Sequence, residues 1–165
     1  MGNANKCSGF GVVEVLIATA VISMTIFSLF YVFTLAERLS VGAGDRIKAN
    51  FLAEEGLEAL RFLRDAGWKG NLSNLVAGTN YYLSFDTSLS RWSVGVSNPG
   101  SIDNLFTRRI TVENVSRNSN DDIVGSGGTN DPNTKKFNVI VSWPASSSAT
   151  SSFTLSAYLS DIYNN

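Results

Sequence analysis

The pattern of apolar and polar positions divides the chain into three textures. Positions 10 to 35 form an unbroken block of 26 residues in which apolar side chains are interrupted only by small or hydroxyl residues and by one carboxylate, Glu14. The block contains no Pro, Lys or Arg. About 20 apolar residues suffice to cross a hydrocarbon core of about 30 Å, so it predicts a membrane-spanning helix over residues 10–36. A carboxylate inside such a span costs about 2.5–3.5 kcal/mol on insertion scales, which makes Glu14 the first functional candidate.

From residue 37 to residue 66 the pattern changes to helical amphipathicity. Ala49, Leu52, Ala53, Gly56, Leu60 and Leu63 recur at spacings of three and four and predict one buried stripe packed on a sheet. A narrower stripe of Phe51, Glu55, Glu58 and Phe62 predicts either contact with another subunit or a second core face. Glu54, Glu58, Arg61 and Asp65 are spaced for surface ion pairs, each worth only tenths of a kcal/mol. Gly42 and Gly44 each cost about 1 kcal/mol of helix propensity relative to Ala and mark the expected soft point of the spine.

Past Gly67 the chain becomes rich in Ser, Thr, Asn and Gly, with short β-forming runs. Residues 80–85 and 91–96 read as a hairpin. Phe106, Arg108, Ile110 and Val112 alternate with polar residues, as do Phe137, Val139, Val141 and Trp143, and then Phe153, Leu155, Ala157 and Leu159. Period two over three segments predicts antiparallel strands with one face on the preceding helix. The fold class is therefore α+β, with residues 67–165 as an antiparallel sheet head.

Composition narrows the chemistry. Of the 165 residues, those beyond the apolar block and the residues before it suffice for one small domain. A net charge of −1 supplies no field to attract nucleic acid, and none is expected as a partner. Arg108, Arg109, Arg117, Lys135 and Lys136 are read as solvated surface. Histidine is absent, and no phosphate-binding loop, dinucleotide fingerprint or zinc spacing appears, so no enzyme is expected. The single cysteine, Cys7, cannot pair within the chain, which leaves the head to its core, to calcium or to neighbouring subunits for reinforcement. No cofactor is expected. Calcium is the exception considered, with Asp121, Asp122 and Asp131 as candidate ligands in a turn-rich stretch from 117 to 134. Their spacing matches no compact loop with oxygen donors at alternate positions, and a flexible loop is the alternative.

The block from residue 10 is too long for the apolar core of about 7–15 residues of a cleaved secretory signal. Cys7 precedes it, whereas a lipoprotein cysteine follows the apolar segment. Lys6 on one side and Arg38, Arg46 and Lys48 on the other do not decide orientation by charge. Ser8-Gly9 followed by Phe10, aliphatic residues and Glu14, the fifth residue counted from Phe10, resembles the processing signal of type IV pilins and type II secretion pseudopilins. The resemblance implies a leader of residues 1–9 removed after Gly9 by a prepilin peptidase, with Phe10 becoming an N-methylated N-terminus. It also implies a pilin-like fold, a cytoplasmic leader, a single-pass inner-membrane stage and an extracytoplasmic filament. Expected partners are the peptidase, other pilin subunits, the assembly platform and, before assembly, membrane lipid. The looser likeness of residues 52–68 to minor-pilin helices favours a minor subunit. The competing expectation is a membrane-anchored extracellular binding domain that never polymerises.

Cleavage before Phe10 would create an ammonium one helical turn from Glu14. In the family, the amine of one subunit is thought to meet the glutamate of its neighbour, fixing axial register. The plainer alternative is that Glu14 snorkels to the membrane interface.

Overall fold

The computed structural model describes residues 11–145 and 148–163. Gly9 and Phe10, the expected processing junction, lie outside the described residues. One long helix, α1 (Val12–Asp65), is followed by a single turn of helix, α2 (Trp68–Asn71), and by strands β1 (Asn80–Asp86), β2 (Arg91–Gly95), β3 (Thr107–Arg117), β4 (Ile123–Val124), β5 (Thr129–Pro144) and β6 (Thr150–Ser160). The chain forms two compact units, Met1–Ala43 and Gly44–Asn165. The division falls between the two glycines expected to soften the spine, although helical hydrogen bonding is assigned throughout α1.

In the first unit the helix is long and apolar enough to cross a membrane, and none of its apolar window is buried. In the second unit the helix ends where Gly67 turns to φ +143°. The Asn71 side-chain amide donates to the Leu63 carbonyl at 3.0 Å, satisfying one of the acceptors that a helix end leaves open. Trp68 and Leu72 close that end of the core.

The strands form an antiparallel sheet in the order β2-β1-β3-β5-β6, with β4 pairing on β3. The β1–β2 hairpin pairs Asp86 with Arg91. Inward positions of the alternating runs, including Phe106, Ile110, Val112, Phe137, Val139 and Val141, are fully buried against the helix. Their partners are Ala49, Ala53, Leu57, Ala59, Leu60 and Leu63. The stripe read from the sequence is therefore the packed one, with Leu52 half-buried at its margin. Phe51 and Phe62 are 62% and 49% exposed, so this face is not core in the single chain.

Small residues bring helix and sheet close together. A methyl group at Gly56 would stand 2.8 Å from Val139 Cγ1 and 3.0 Å from Arg108 Cδ, so only glycine fits this crossing.

Two expectations are corrected. The stretch from 117 to 134 is not a flexible loop, because β3 runs to Arg117, β4 pairs back at Ser116 and Arg117, and β5 starts at Thr129. Pro132 sits in β5 at an irregularity where Asn114 and Val115 oppose Lys135 and Asp131, the position at which a strand tolerates a residue without an N–H. Gly128 at φ +80° closes this segment, since a side chain there would come within 2.4 Å of the Arg117 carbonyl oxygen. The second correction concerns the basic residues. Arg108 and Lys135 are buried rather than solvated, while Arg117 and Lys136 stay partly exposed in ion pairs.

Candidate functional site

The apolar half of α1 carries five Ser and Thr side chains, and all five donate to a carbonyl of their own helix. Thr19 bonds Leu16 at 3.0 Å, Ser23 bonds Thr19 at 2.7 Å, Thr25 bonds Ile22 at 2.7 Å, Ser28 bonds Met24 at 2.9 Å and Thr34 bonds Tyr31 at 2.9 Å. Each hydroxyl proton is thereby satisfied without water, which suits a segment whose surroundings are apolar. Small residues at Gly11, Ala18 and Ala20 keep parts of this surface low enough for another helix to approach closely.

Glu14 stands apart. It lies in the first turn of α1, where the helix dipole favours an anion, and its own N–H donates to the Gly11 carbonyl at 3.0 Å. Its carboxylate has no side-chain partner among the described residues, and it is exposed. A carboxylate in this setting can accept hydrogen bonds from a cation or from helix N–H groups supplied by something outside the single chain. The geometry is that of an unfilled acceptor on an oily rod.

The charged groups of the second unit are, by contrast, mostly satisfied internally. Arg108 points inward from β3 into the space left by Gly56, with its side chain 6% exposed. Its Nη1 donates to the Leu52 carbonyl at 3.0 Å and to Glu55 Oε2 at 2.7 Å, and the guanidinium lies 5.4 Å from the Trp92 ring centre. Nε is buried without a hydrogen-bond partner, so the arginine trades full solvation for a clamp between helix and sheet. Lys135 donates through Nζ to the carbonyls of Ser73 and Leu75. Burial pushes its pKa below the usual lysine range.

Two of the three calcium candidates, Asp121 and Asp131, are tied to an arginine. Arg117 Nε donates to Asp131 Oδ2 at 2.7 Å, Nη1 donates to the Asp121 carbonyl at 2.8 Å, and the Asp121 carboxylate lies 3.6 Å from Nε. The Arg117 guanidinium holds the Asp131 carboxyl below its ordinary pKa. Asp122 accepts from the Asn118 amide at 3.3 Å. Among the described residues no group of three or more His, Cys, Asp and Glu side chains is arranged to hold a metal. On the outer face of the sheet, Asn138 donates to Glu113 at 2.6 Å, and Lys136 approaches the same carboxylate at 3.2 Å. The Asn138 hydrogen bond, helped by Lys136, lowers the Glu113 pKa.

No family model, no curated protein and no solved structure matches the chain.

Arg108, expected from the sequence as solvated surface, is instead a buried member of the alternating row. The available signal was a cationic side chain at an inward position, in a fold whose helix offers Glu55 beside a glycine.

Proposed function

We propose that the chain is a pilin-like structural subunit, of the minor type, of a type IV pilus or a type II secretion-like filament. The reading takes α1 as both membrane anchor and assembly rod, and the second unit as a surface-displayed head with a pilin-like fold. The observation that carries it is the contrast within one helix. Every Ser and Thr hydroxyl of the apolar segment is satisfied locally, while the Glu14 carboxylate is left open on an exposed apolar surface. An uncompensated charge in an apolar setting is heavily penalised, and a cation from a neighbouring subunit would remove the penalty and set the register. The α-amine created by processing between Gly9 and Phe10 is that cation.

In this reading the leader stays cytoplasmic, the precursor resides in the inner membrane, and the head faces away from the cytoplasm. The partners are prepilin peptidase, other pilin subunits and the assembly platform, and no catalysis, cofactor or nucleic-acid contact is involved. Mass spectrometry of the mature chain from cells with an active prepilin peptidase tests the proposal. A chain beginning at N-methylated Phe10 is expected. A chain that retains Met1 or Lys6 would refute it in favour of a plain anchored domain.

A further inference from the structure

The tripeptide Asn-x-Ser, with x other than proline, occurs at Asn71-Leu72-Ser73 and at Asn114-Val115-Ser116. It is the acceptor motif for N-linked glycans, in which the asparagine amide is modified and the hydroxyl two residues on is read by the transferase. The fold treats the two copies differently. At the first, the Asn71 amide donates to the Leu63 carbonyl at 3.0 Å, Ser73 donates to the Lys69 carbonyl at 2.9 Å, and Leu72 between them is fully buried. Both polar side chains are already engaged. At the second, Asn114 is exposed and its side-chain amide makes no hydrogen bond among the described residues. An irregularity in β3 produces this exposure. Arg108, Ile110 and Val112 point inward at alternate positions, and unbroken alternation would send Asn114 into the core. The register shifts between Asn114 and Val115, so Glu113 and Asn114 are exposed in succession and Val115 turns inward, 3% exposed. Irregularities of this kind re-aim a side chain. Ser116 then lies on the same face as Asn114, two positions along the strand.

We infer that Asn114 is an N-glycosylation site that accepts an oligosaccharide from a lipid-linked diphosphate donor, and that Asn71 is not. In the transfer the Asn114 amide nitrogen forms a bond to C1 of the first sugar, the bond from C1 to the phosphate oxygen breaks, and the lipid diphosphate leaves with the bonding pair. One amide proton passes to a basic group of the transferase. No oxidation or reduction occurs. A glycan on Asn114 displaces no internal hydrogen bond and stands in solvent, where it adds bulk and solubility to the head. A glycan on Asn71 would break the bond to Leu63 and leave that buried carbonyl unsatisfied, which costs about 1–3 kcal/mol. The inference rests on the reading above that the head faces away from the cytoplasm, the side on which such transferases act.

The test uses the full chain purified from cells that hold both a prepilin peptidase and an oligosaccharyltransferase. Trypsin cuts after Arg109 and Arg117, so the acceptor lies in a peptide of residues 110–117. Mass spectrometry with electron-transfer fragmentation is expected to find that peptide carrying a series of sugar masses on Asn114, with Asn71 unmodified. Asn114→Gln and Ser116→Ala should each abolish the added mass, whereas Ser116→Thr, which keeps the motif, should retain it. The tryptophan-monitored melt of the Asn114→Gln chain should match that of the unmodified chain stripped of its glycan, because the side chain has no partner to lose. A chain that begins at Phe10 with Asn114 bare would overturn this inference and leave the subunit reading standing. A bare chain that retains Met1 would overturn both. Sugar mass that survives in Asn114→Gln would assign the modification to a hydroxyl, and would overturn the inference as well.

Discussion

Replacing Gly56 by Ala sets two physical effects against each other. Intrinsic helix propensity alone favours Ala by about 1 kcal/mol at an interior position. Packing opposes it, because the added methyl would lie 2.8 Å from Val139 Cγ1 and 3.0 Å from Arg108 Cδ. Val139 is fully buried on a central strand and, being β-branched, has little freedom to turn away. Arg108 is held by the Leu52 carbonyl and Glu55, so its stem cannot withdraw without breaking hydrogen bonds of 3.0 and 2.7 Å. Overpacking of this kind costs about 1–3 kcal/mol, and displacement of the Arg108 clamp adds about 1–2 kcal/mol, so packing wins by about 1–4 kcal/mol. For a unit of this size that is a drop in Tm on the order of 5–15 °C. Thermal unfolding in detergent, followed by the fluorescence of buried Trp68 and Trp143, reads it directly. Adding Val139→Ala should be less harmful in the Gly56→Ala background than in the unmodified chain, because the shortened side chain makes room for the new methyl. A Gly56→Ala variant that melts higher than the unmodified chain would show that helix and sheet are not in close contact here, and the clamp argument would fail with it.

Gly44 supplies the counterpart: nothing lies within 4 Å of its added methyl, so Gly44→Ala should raise the melting temperature by the propensity gain of about 1 kcal/mol, and a loss would indicate an unrecognised neighbour. Glu55→Ala should destabilise the head more than Arg108→Met does, by about 1–3 kcal/mol in chemical denaturation, since the first leaves a guanidinium buried beside Leu52 while the second leaves a half-exposed carboxylate that water can reach. The depressed Asp131 pKa contributes stability that is fully present above the ordinary carboxylate pKa near 4 and is lost as pH falls through the folded value; Arg117→Gln should flatten this part of the acid-unfolding profile, and an unchanged profile would count against the ion pair. Glu14→Ala should leave membrane insertion and removal of the leader intact while incorporation into filaments, scored by immunogold labelling, is lost; normal incorporation would remove the proposed charge pairing.

What the sequence made legible follows from how each signal is encoded. Helical spacing at Ala49, Leu52, Ala53, Gly56, Leu60 and Leu63 and period-two runs in β3, β5 and β6 are local, and the structure places all these positions against one another, Leu52 at the rim. The stretch from 117 to 134 misled because its Asn, Asp, Gly and Pro are turn formers by local preference, yet its geometry is set by a distant strand. Asn118 closes a turn by accepting from the N–H groups of Asn120 and Asp122, each at 2.9 Å, and Arg117 then reaches Asp131 across the sheet. The two ends of that interaction stand 14 positions apart on two paired strands, a separation that no local turn preference encodes. The buried Arg108 escaped for the same reason, since its partners Leu52 and Glu55 lie more than 50 positions away.

Glu14 differs from all of these, and the difference bears on function. Arg108 and Lys135 each conflict with the simple rule that charge stays outside, and each conflict is resolved by a partner within the fold. The clash at Glu14 is the one that no described residue resolves, although the Ser and Thr hydroxyls of the apolar segment are all accommodated. A locally inconsistent residue that the fold leaves uncompensated points to compensation by something the single chain does not contain. If the compensation were mere hydration at the membrane surface, Glu14→Gln and Glu14→Lys would assemble equally well. If it is a neighbouring ammonium, Gln should retain some assembly and Lys none, because a second cation would face the first. The Gln-to-Lys ratio in a filament-incorporation assay therefore separates snorkelling from register pairing, and equal incorporation of the two would rule out the pairing.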